Sequence, residues 1–513
     1  MKLRSDTMQT PVDALDALAV APDAQAAGPA GPDPHAGPEV GPHAGPHAGP
    51  HAGTHTGRRR LLRWVAAAGG GGLAGWPALL PGLAAAAEPA EGPEPPRLAL
   101  LIGNRDYPDG EDLPPIHKNV RDLRDALERR GFAVTDALDQ DLVAAQALMA
   151  RFVATVKAAP ADATVFFYFS GHGAQVDAEN LLVSAHISPK ARPDALTRAS
   201  LTLTKDVIGQ LPLRPDGLTI AVIDACRTSL KAVAQGEGLN QVEAPPGCLI
   251  AFATGAGKPA IAPNNDANNT FYTGSLVKVM NSASGETPFS DVFRLVKTDT
   301  QNTMLNHPVK ILREFAQVPF IAENTKTRRR LAPRVPDAPP PPPRKDDESV
   351  AWARLEALIW PADVARAATA YLADYPDSQL AGSAQVARDG AAEAAQILRR
   401  NDVRLYRSAF QLGEQVPADA ATDIVKAGRG DKDAAARLGQ RNSPDGGLYG
   451  GVDKTGRYEG WMQYAAALGN GIASYRLALY YRRTDQPQLA SQFEALARKL
   501  GYTPPPSLDN KRS

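Results

Sequence analysis

Cysteine is nearly absent from this chain, whose 513 residues hold only Cys226 and Cys248. Two thiols exclude a disulfide scaffold and are too few ligands for a cysteine-based metal site. A single bridge between them would silence both. Net charge is absent as well, since Lys+Arg and Asp+Glu number 56 each and cancel to zero. A balanced chain offers no overall electrostatic footprint for nucleic acid or an anionic membrane. No G-x-S-x-G motif and no His/Glu ligand cluster occurs, so serine or metal hydrolase chemistry is not indicated. The one stretch long enough to suggest a membrane span, Trp64 to Leu83, is broken by Pro77, Pro81 and the glycines between Gly69 and Gly75. It makes a poor spanning helix.

What is present divides into segments. The length predicts two folded domains plus extensions. Residues 1–57 are low-complexity Ala, Gly and Pro with a degenerate HAGP repeat (His35, His43, His47, His51) and are read as a disordered tail. Residues 58–96 run from charged (Arg58, Arg59, Arg60, Arg63) through mildly apolar to the small residues Ala84 to Ala87 and a polar spacer. That order is the order of a secretory signal, and the paired arginines before two leucines resemble the twin-arginine type. The expectation is export to the periplasm or beyond, with no stable membrane insertion after cleavage. Anchoring by residues 64–83 is the alternative.

From Arg97 the texture becomes that of an α/β domain over 97–323. Arg97 to Gly103, Ala163 to Phe169, the Ile220, Val222 and Ile223 run within Leu218 to Arg227, and Gly247 to Thr254 are continuous apolar runs, as expected of central strands covered on both faces. Phe132 to Val134 and Asn180 to Ser184 add shorter strands. Helical periods recur over Asn119 to Arg130, Leu142 to Ala158, Thr204 to Leu211, Phe271 to Met280 and Phe289 to Asp299. Alternating strands and helices predict a mostly parallel sheet with helices on both faces. Residues 324–347, with five prolines at Pro339 to Pro343, read as a stiff linker. Residues 348–505 read as all-helical, before a short tail at 506–513. Ala434 to Gly439 (AAARLG) and Ala473 to Tyr480 (ASYRLALY) are alike and about 39 residues apart, with Trp461 to Gly469 between them. The pattern resembles Sel1-type repeats of the tetratricopeptide superfamily, whose units stack and leave a concave surface for a protein partner. A plain helical bundle is the alternative.

Two strand ends carry the chemistry. Ala163 to Phe169 ends in Ser170, Gly171, His172 and Gly173, and the Leu218 strand ends in Asp224, Ala225 and Cys226. In parallel sheets ligands bind beyond the carboxyl ends of the strands, so an imidazole and a thiol are expected side by side at one rim. Polar neighbours favour an exposed Cys226 that can form a thiolate, and an imidazole can activate it and later protonate a leaving amine. The amides of Gly173 and Cys226 are candidates for an oxyanion hole. Cys248 falls inside a strand and reads as structural. His117, His186 and His307 lack a glycine-flanked strand-end setting and read as surface or loop residues.

RLALLIGNRDY, FYFSGHG and VIDACR, in that order, resemble the caspase-like cysteine peptidases of the metacaspase/orthocaspase branch. His172 and Cys226 stand 54 residues apart, in the family's His–Cys order. The resemblance extends through Ala251 to Ala260 and Asn269 to Leu276. It implies a caspase–hemoglobinase fold, endopeptidase activity through a thiol acyl-enzyme, and a polypeptide substrate. It implies no prosthetic group, although some relatives need calcium.

The resemblance also implies a substrate-binding clamp for a basic P1 side chain, made of two acidic residues. Asp224 fills one position. Asn119 stands where the second acid is expected, and a one-residue shift would bring Asp122 into play. QACxG is absent, so a strict aspartate preference is not implied. The loop Thr228 to Pro246 holds one basic residue, Lys231, the candidate autoprocessing site. The competing expectation, from another class, is a caspase-like scaffold with little or no catalysis that works as a binding module.

Overall fold

The computed structural model describes residues 94–176, 179–225, 242–255, 260–331, 346–413, 416–444 and 456–502. The low-complexity tail, nearly all of the signal segment, Cys226, Lys231, the proline run and the C-terminal tail therefore lie outside the described residues.

The apolar runs form the centre of a six-stranded sheet. Its strands are β1 (Arg97–Gly103), β2 (Phe132–Leu138), β3 (Thr164–Gly171), β7 (Leu218–Ala225), β8 (Cys248–Phe252) and β9 (Phe320–Asn324), in the order β2-β1-β3-β7-β8-β9. All neighbours are parallel except β8 and β9, which are antiparallel. A separate antiparallel sheet joins β4 (Gly173–Val176), β5 (Glu179–Val183) and β6 (Ser200–Thr202).

Although the strand sequences are apolar without interruption, successive side chains still leave opposite faces. Leu101, Phe166, Tyr168, Ile220 and Val222 pack on one face against α1 (Ile116–Glu128), α4 (Phe271–Ser282) and α5 (Phe289–Leu305). Leu100, Ile102, Phe167, Phe169 and Ile223 pack on the other against α2 (Leu142–Ala158) and a short π-helix, Leu203–Ile208. Two buried faces explain why polar alternation is missing from these strands. Helix α2 begins where expected because the Asp141 side chain caps it, accepting from Ala144 N at 2.8 Å.

Beyond α3 (Pro193–Arg198) and α6 (Lys310–Glu314), the remaining described helices are C-terminal. They are α7 (Asp346–Ala357), α8 (Pro361–Asp374), α9 (Ala381–Ile397), α10 (Ala418–Gly428), α11 (Lys432–Arg441), α12 (Arg457–Ala467), α13 (Gly471–Arg483) and α14 (Pro487–Lys499). The two similar segments fall on α11 and α13, and the intervening one on α12. Small residues such as Ala434, Ala435, Ala465 and Ala473 are buried among them with Trp461 and Tyr464. No described helix is long and apolar enough to cross a membrane.

The structure differs from the sequence expectations in several places. The helix expected over Thr204 to Leu211 is the shorter π-helix. Strands β4, β6 and β9 had no apolar run long enough to reveal them. The linker expected from 324 starts later among the described residues, because Thr325 to Leu331 is held on the α/β domain. Phe289 N donates to Arg329 O at 2.9 Å, Leu331 N donates to Thr287 O at 2.8 Å, and Leu331 is fully buried.

Phe167 is fully buried between the central strand and α2. Phe167→Ala is expected to destabilise the fold by about 3–5 kcal/mol, through lost transfer free energy plus an unfilled cavity. Urea unfolding followed by circular dichroism would measure it, and a loss below about 1 kcal/mol would show that the site collapses around the smaller side chain.

Candidate active site

At the carboxyl end of the sheet, β3 and β7 run side by side with Ser170 opposite Asp224 and Gly171 opposite Ala225. The next residues in sequence are His172 and Cys226. Cys226 lies outside the described residues. Cys248 is at the first position of β8, the opposite end of the sheet, where it is a buried free thiol. Burial pushes its pKa up to about 11, consistent with a structural role.

His172 is held from the loop between β1 and α1. Its Nε2 lies 2.8 Å from the carbonyl oxygen of Glu111. A carbonyl can only accept, so Nε2 carries the hydrogen and Nδ1 keeps the lone pair. The His172 amide donates to the Tyr107 hydroxyl at 3.1 Å, and the Tyr107 ring meets the imidazole edge-on, with centroids 4.5 Å apart. Tyr107 in turn donates to Val183 O at 3.1 Å. Burial lowers the His172 pKa, with the Glu111 carbonyl and carboxylate opposing the shift. The imidazole therefore stays neutral further into the acid range than a free one.

The loop that supplies Glu111 is itself tied down. Asp139 Oδ1 accepts from Arg105 N at 2.7 Å and Asp106 N at 3.1 Å, and its Oδ2 lies 2.6 Å from His117 Nε2. Asn104 bridges to Val183 O and accepts from Gln140 N. The Glu111 carboxylate pairs with Lys190. His117, expected on the surface or in a loop, is thus a half-buried helical residue that braces this loop, since the helix begins at Ile116 rather than near Asn119. His186 is exposed, and the His307 ring packs on Phe271.

Asp224 and Asn119 are both buried on the α1/α4 face, and Thr270 joins them. Asp224 Oδ2 accepts from Thr270 Oγ1 at 2.5 Å and Thr273 Oγ1 at 2.6 Å. Asn119 Nδ2 donates to Thr270 Oγ1 at 3.1 Å and to Ser170 Oγ at 3.3 Å, while its Oδ1 accepts from Thr270 N at 3.1 Å. Because the Thr273 hydroxyl gives its proton to the carboxylate, the Tyr168 hydroxyl 2.6 Å away must donate to Thr273. Burial raises the pKa of Asp224, and the two threonine hydroxyls partly offset this. Asp122 is turned to other partners, Lys118 at 2.8 Å and Asn269 at 3.0 Å. The helix geometry therefore brings Asn119, not Asp122, to Asp224.

Gly173 opens β4 opposite Leu182 and is half-buried. Lys231 and Cys226 cannot be related to these groups, being outside the described residues. Among the described residues no group of three or more His, Cys, Asp or Glu side chains could hold a metal ion.

Residues 96–330 match the family model described as Caspase domain. This region is a caspase domain. Caspase-1 from Spodoptera frugiperda is a similar solved structure, at 14% identity over 46% of this chain and 92% of that one, with a TM-score of 0.35. No curated protein matches the chain. The match implies a cysteine peptidase relationship for this region and, with it, a polypeptide substrate.

Sequence reasoning singled out His172 and Asp224 and passed over Tyr107, Glu111 and Thr270, which the structure places against them. Tyr107 ends the RLALLIGNRDY run, and Thr270 sits in the Asn269 to Leu276 run, so both were visible as pattern without a role. Glu111 acts through its backbone carbonyl, which residue identity does not encode.

A Cβ at Gly171 would sit 2.7 Å from the Tyr107 hydroxyl and 3.1 Å from the Phe169 ring. Gly171→Ala is therefore expected to push Tyr107 away from the His172 amide and Val183 O, at a cost of about 1–3 kcal/mol for the buried groups left unpaired. Denaturant unfolding together with the His172 imidazole chemical shift would test this. An unchanged shift would mean that the loop absorbs the methyl.

Proposed function

We propose that the caspase domain is an active cysteine endopeptidase in which His172 and Cys226 form the catalytic dyad. The observation that carries this reading is the pairing of Gly171 with Ala225 in adjacent parallel strands. Neighbouring strands lie about 4.8 Å apart, so the next residue of each chain leaves from neighbouring strand ends. The tautomer favoured by the Glu111 carbonyl supports the same reading, since it presents Nδ1 as the base.

In this mechanism the Cys226 thiol gives its proton to Nδ1 of His172, and Sγ attacks the scissile carbonyl carbon. The amides of Gly173 and Cys226 hold the resulting oxyanion. Collapse breaks the C–N bond, with the imidazolium proton passing to the leaving amine. Water, deprotonated by His172, then hydrolyses the thioester and regenerates the thiol.

A basic P1 side chain is the proposed preference, because Asp224 is a buried carboxylate whose partners include the neutral Thr270 and Thr273 hydroxyls, so a cationic side chain would complement its charge. Asn119 supplies shape and a hydrogen bond where a second charge would strengthen the clamp. Lys231 is the proposed autoprocessing site. The helical region is proposed to form Sel1-like repeats that recruit a protein partner or substrate, in a protein exported through its arginine-led signal.

Cys226→Ala is expected to abolish cleavage of a diverse peptide library while leaving the melting profile unchanged. Mass spectrometry of both proteins, with and without calcium, reads this directly. Cuts that persist in the variant would remove Cys226 from the mechanism, and no cuts by either protein would favour the binding-module alternative.

Asn119→Asp is expected to raise kcat/KM for Arg and Lys substrates roughly tenfold or more, the scale of one added charged hydrogen bond. Equal gain on neutral P1 substrates would exclude a charge effect. The pH dependence has a definite sign. Asp224 has a raised pKa, so its ionised form is lost earlier as pH falls, and the preference for basic over neutral P1 should shrink toward mildly acid pH. His172 has a lowered pKa, so turnover of neutral substrates should persist below about pH 6.5, the ordinary imidazole value. A preference ratio constant from neutral to acid pH would count against Asp224 as the recognition group.

A further inference from the structure

Between the caspase domain and the helical region lies a cavity of about 460 Å³. That is within the range of ordinary small-molecule sites, roughly 300–1,000 Å³. Four helices line it. Helix α5 supplies Asp291 and Arg294 from the caspase domain, α7 supplies Trp352 and Leu355, α9 supplies Ser383, and Arg429 is the C-cap of α10.

The frame around the cavity is closely packed. A Cβ at Gly428 would collide with Ile359 O, and one at Gly390 with Arg429 O. On the caspase side, Glu323 is 2% exposed and is paired with Arg294 at 2.9 Å and Lys426 at 3.1 Å. Helix α11 is fastened to β9 as well. Arg437 Nη1 donates to Glu323 O at 2.9 Å, Lys432 Nζ to Ile321 O at 2.6 Å, and Asp433 Oδ2 accepts from Glu323 N at 3.0 Å. Packed interiors hold few voids larger than a water molecule, and this one persists inside a tight frame.

Two charged groups on its walls lack an ion-pair partner among the described residues. Arg294, one turn from Asp291 on α5, is spent on Glu323 and on Asp431 at 3.0 Å. Burial raises the pKa of Asp291, with the Arg294 charge opposing the shift. The Ser383 hydroxyl is near enough to ease that shift, yet it is 2% exposed and not in hydrogen-bonding geometry with any partner. Arg429 makes only long bonds to carbonyls, Val425 O at 3.2 Å, Leu355 O at 3.4 Å and Glu356 O at 3.3 Å. Its pKa is lowered by burial and then by the Arg328 charge. The charge of Asp291 reaches Arg429, but no ion pair joins them.

These walls suit a ligand with a cation at one end, an anion at the other and an apolar body against Trp352 and Leu355. A buried charge without a partner is costly, and an opposite charge brought to it offsets that cost. In a single amino acid the two ends are too close together to serve two walls separately. Each further residue adds about 3.5 Å of chain. We propose that the cavity binds a short peptide of two or three apolar residues with both ends free, its ammonium on Asp291 and Ser383 and its carboxylate on Arg429. Neither His172 nor Cys226 takes part, so the site is independent of the proposed dyad.

Titration calorimetry on the full chain tests this with dileucine and trileucine, then with the N-acetylated and amidated forms of the tighter one, and with leucine. The free peptide is expected to bind and to raise the melting temperature. Each blocked form is expected to bind about tenfold more weakly or worse, the scale of one charged hydrogen bond. Asp291→Asn is expected to weaken the free peptide to a similar degree and to leave the N-acetylated one unchanged. Arg429→Gln is expected to weaken the free peptide and to leave the amidated one unchanged. Circular dichroism checks the fold of each variant, and the blocked peptides test the parent without any substitution. Blocked peptides or leucine binding as tightly as the free peptide would overturn the proposal. So would the absence of heat and of a melting shift at millimolar peptide, or folded variants that weaken free and blocked peptides alike.

Discussion

The pairing of β3 with β7 is the constraint on which the site depends. Both strands are buried on both faces, and a one-residue slip would send Phe166 and Tyr168 to the α2 side and Phe167 to the α1 side. Register is therefore held by every side chain in the two cores. The same register sets Ser170 beside Asp224 and Gly171 beside Ala225, so the geometry at the strand ends is fixed by apolar packing far from it. That is why chemistry can be placed on short polar tips without stiffness of their own.

Around those tips the polar groups are arranged in two separate networks. One surrounds His172 and is made largely of backbone, with the Glu111 carbonyl, the Tyr107 hydroxyl and the amides gathered by Asp139 as its main members. The other surrounds Asp224 and is made of side chains from three elements, Asn119 on α1, Thr270 and Thr273 at the start of α4, and Ser170 on β3. Each buried polar atom there finds a partner, which low-dielectric surroundings require. Their effects on protonation are opposite in chemistry but share a cause. Burial favours the neutral form of both groups, lowering the imidazole and raising the carboxyl.

The helical region bears on the caspase domain at the far edge of the sheet rather than at the strand ends. It does so by reading the backbone of β9 with Lys432, Asp433 and Arg437. Edge strands are commonly protected by charge, by shortness or by a cover, and all three devices meet here in a five-residue strand with a buried glutamate.

Most of the main sheet was legible from the sequence, because a strand buried on both faces must be apolar throughout and needs only its own residues to say so. Helices α1 and α2 were legible for a similar local reason, the period of Val120, Leu123 and Leu127 and the same helical period over Leu142 to Ala158. His172 and Asp224 could be singled out because glycine or acid at the end of an apolar run is a local signal. Tertiary structure alone decided the rest. Whether Asn119 or Asp122 meets Asp224 depends on where α1 starts and how it rotates against α4, which no spacing reveals. Glu111 enters through a carbonyl common to every residue type. Strand β9 gains its identity from β8 on one side and α11 on the other, with Glu323 in its middle looking unlike any strand residue until Arg294 and Lys426 are beside it. Local sequence determines an element when its burial is uniform; contacts made between elements distant in the chain determine everything that a single charge or a single carbonyl does.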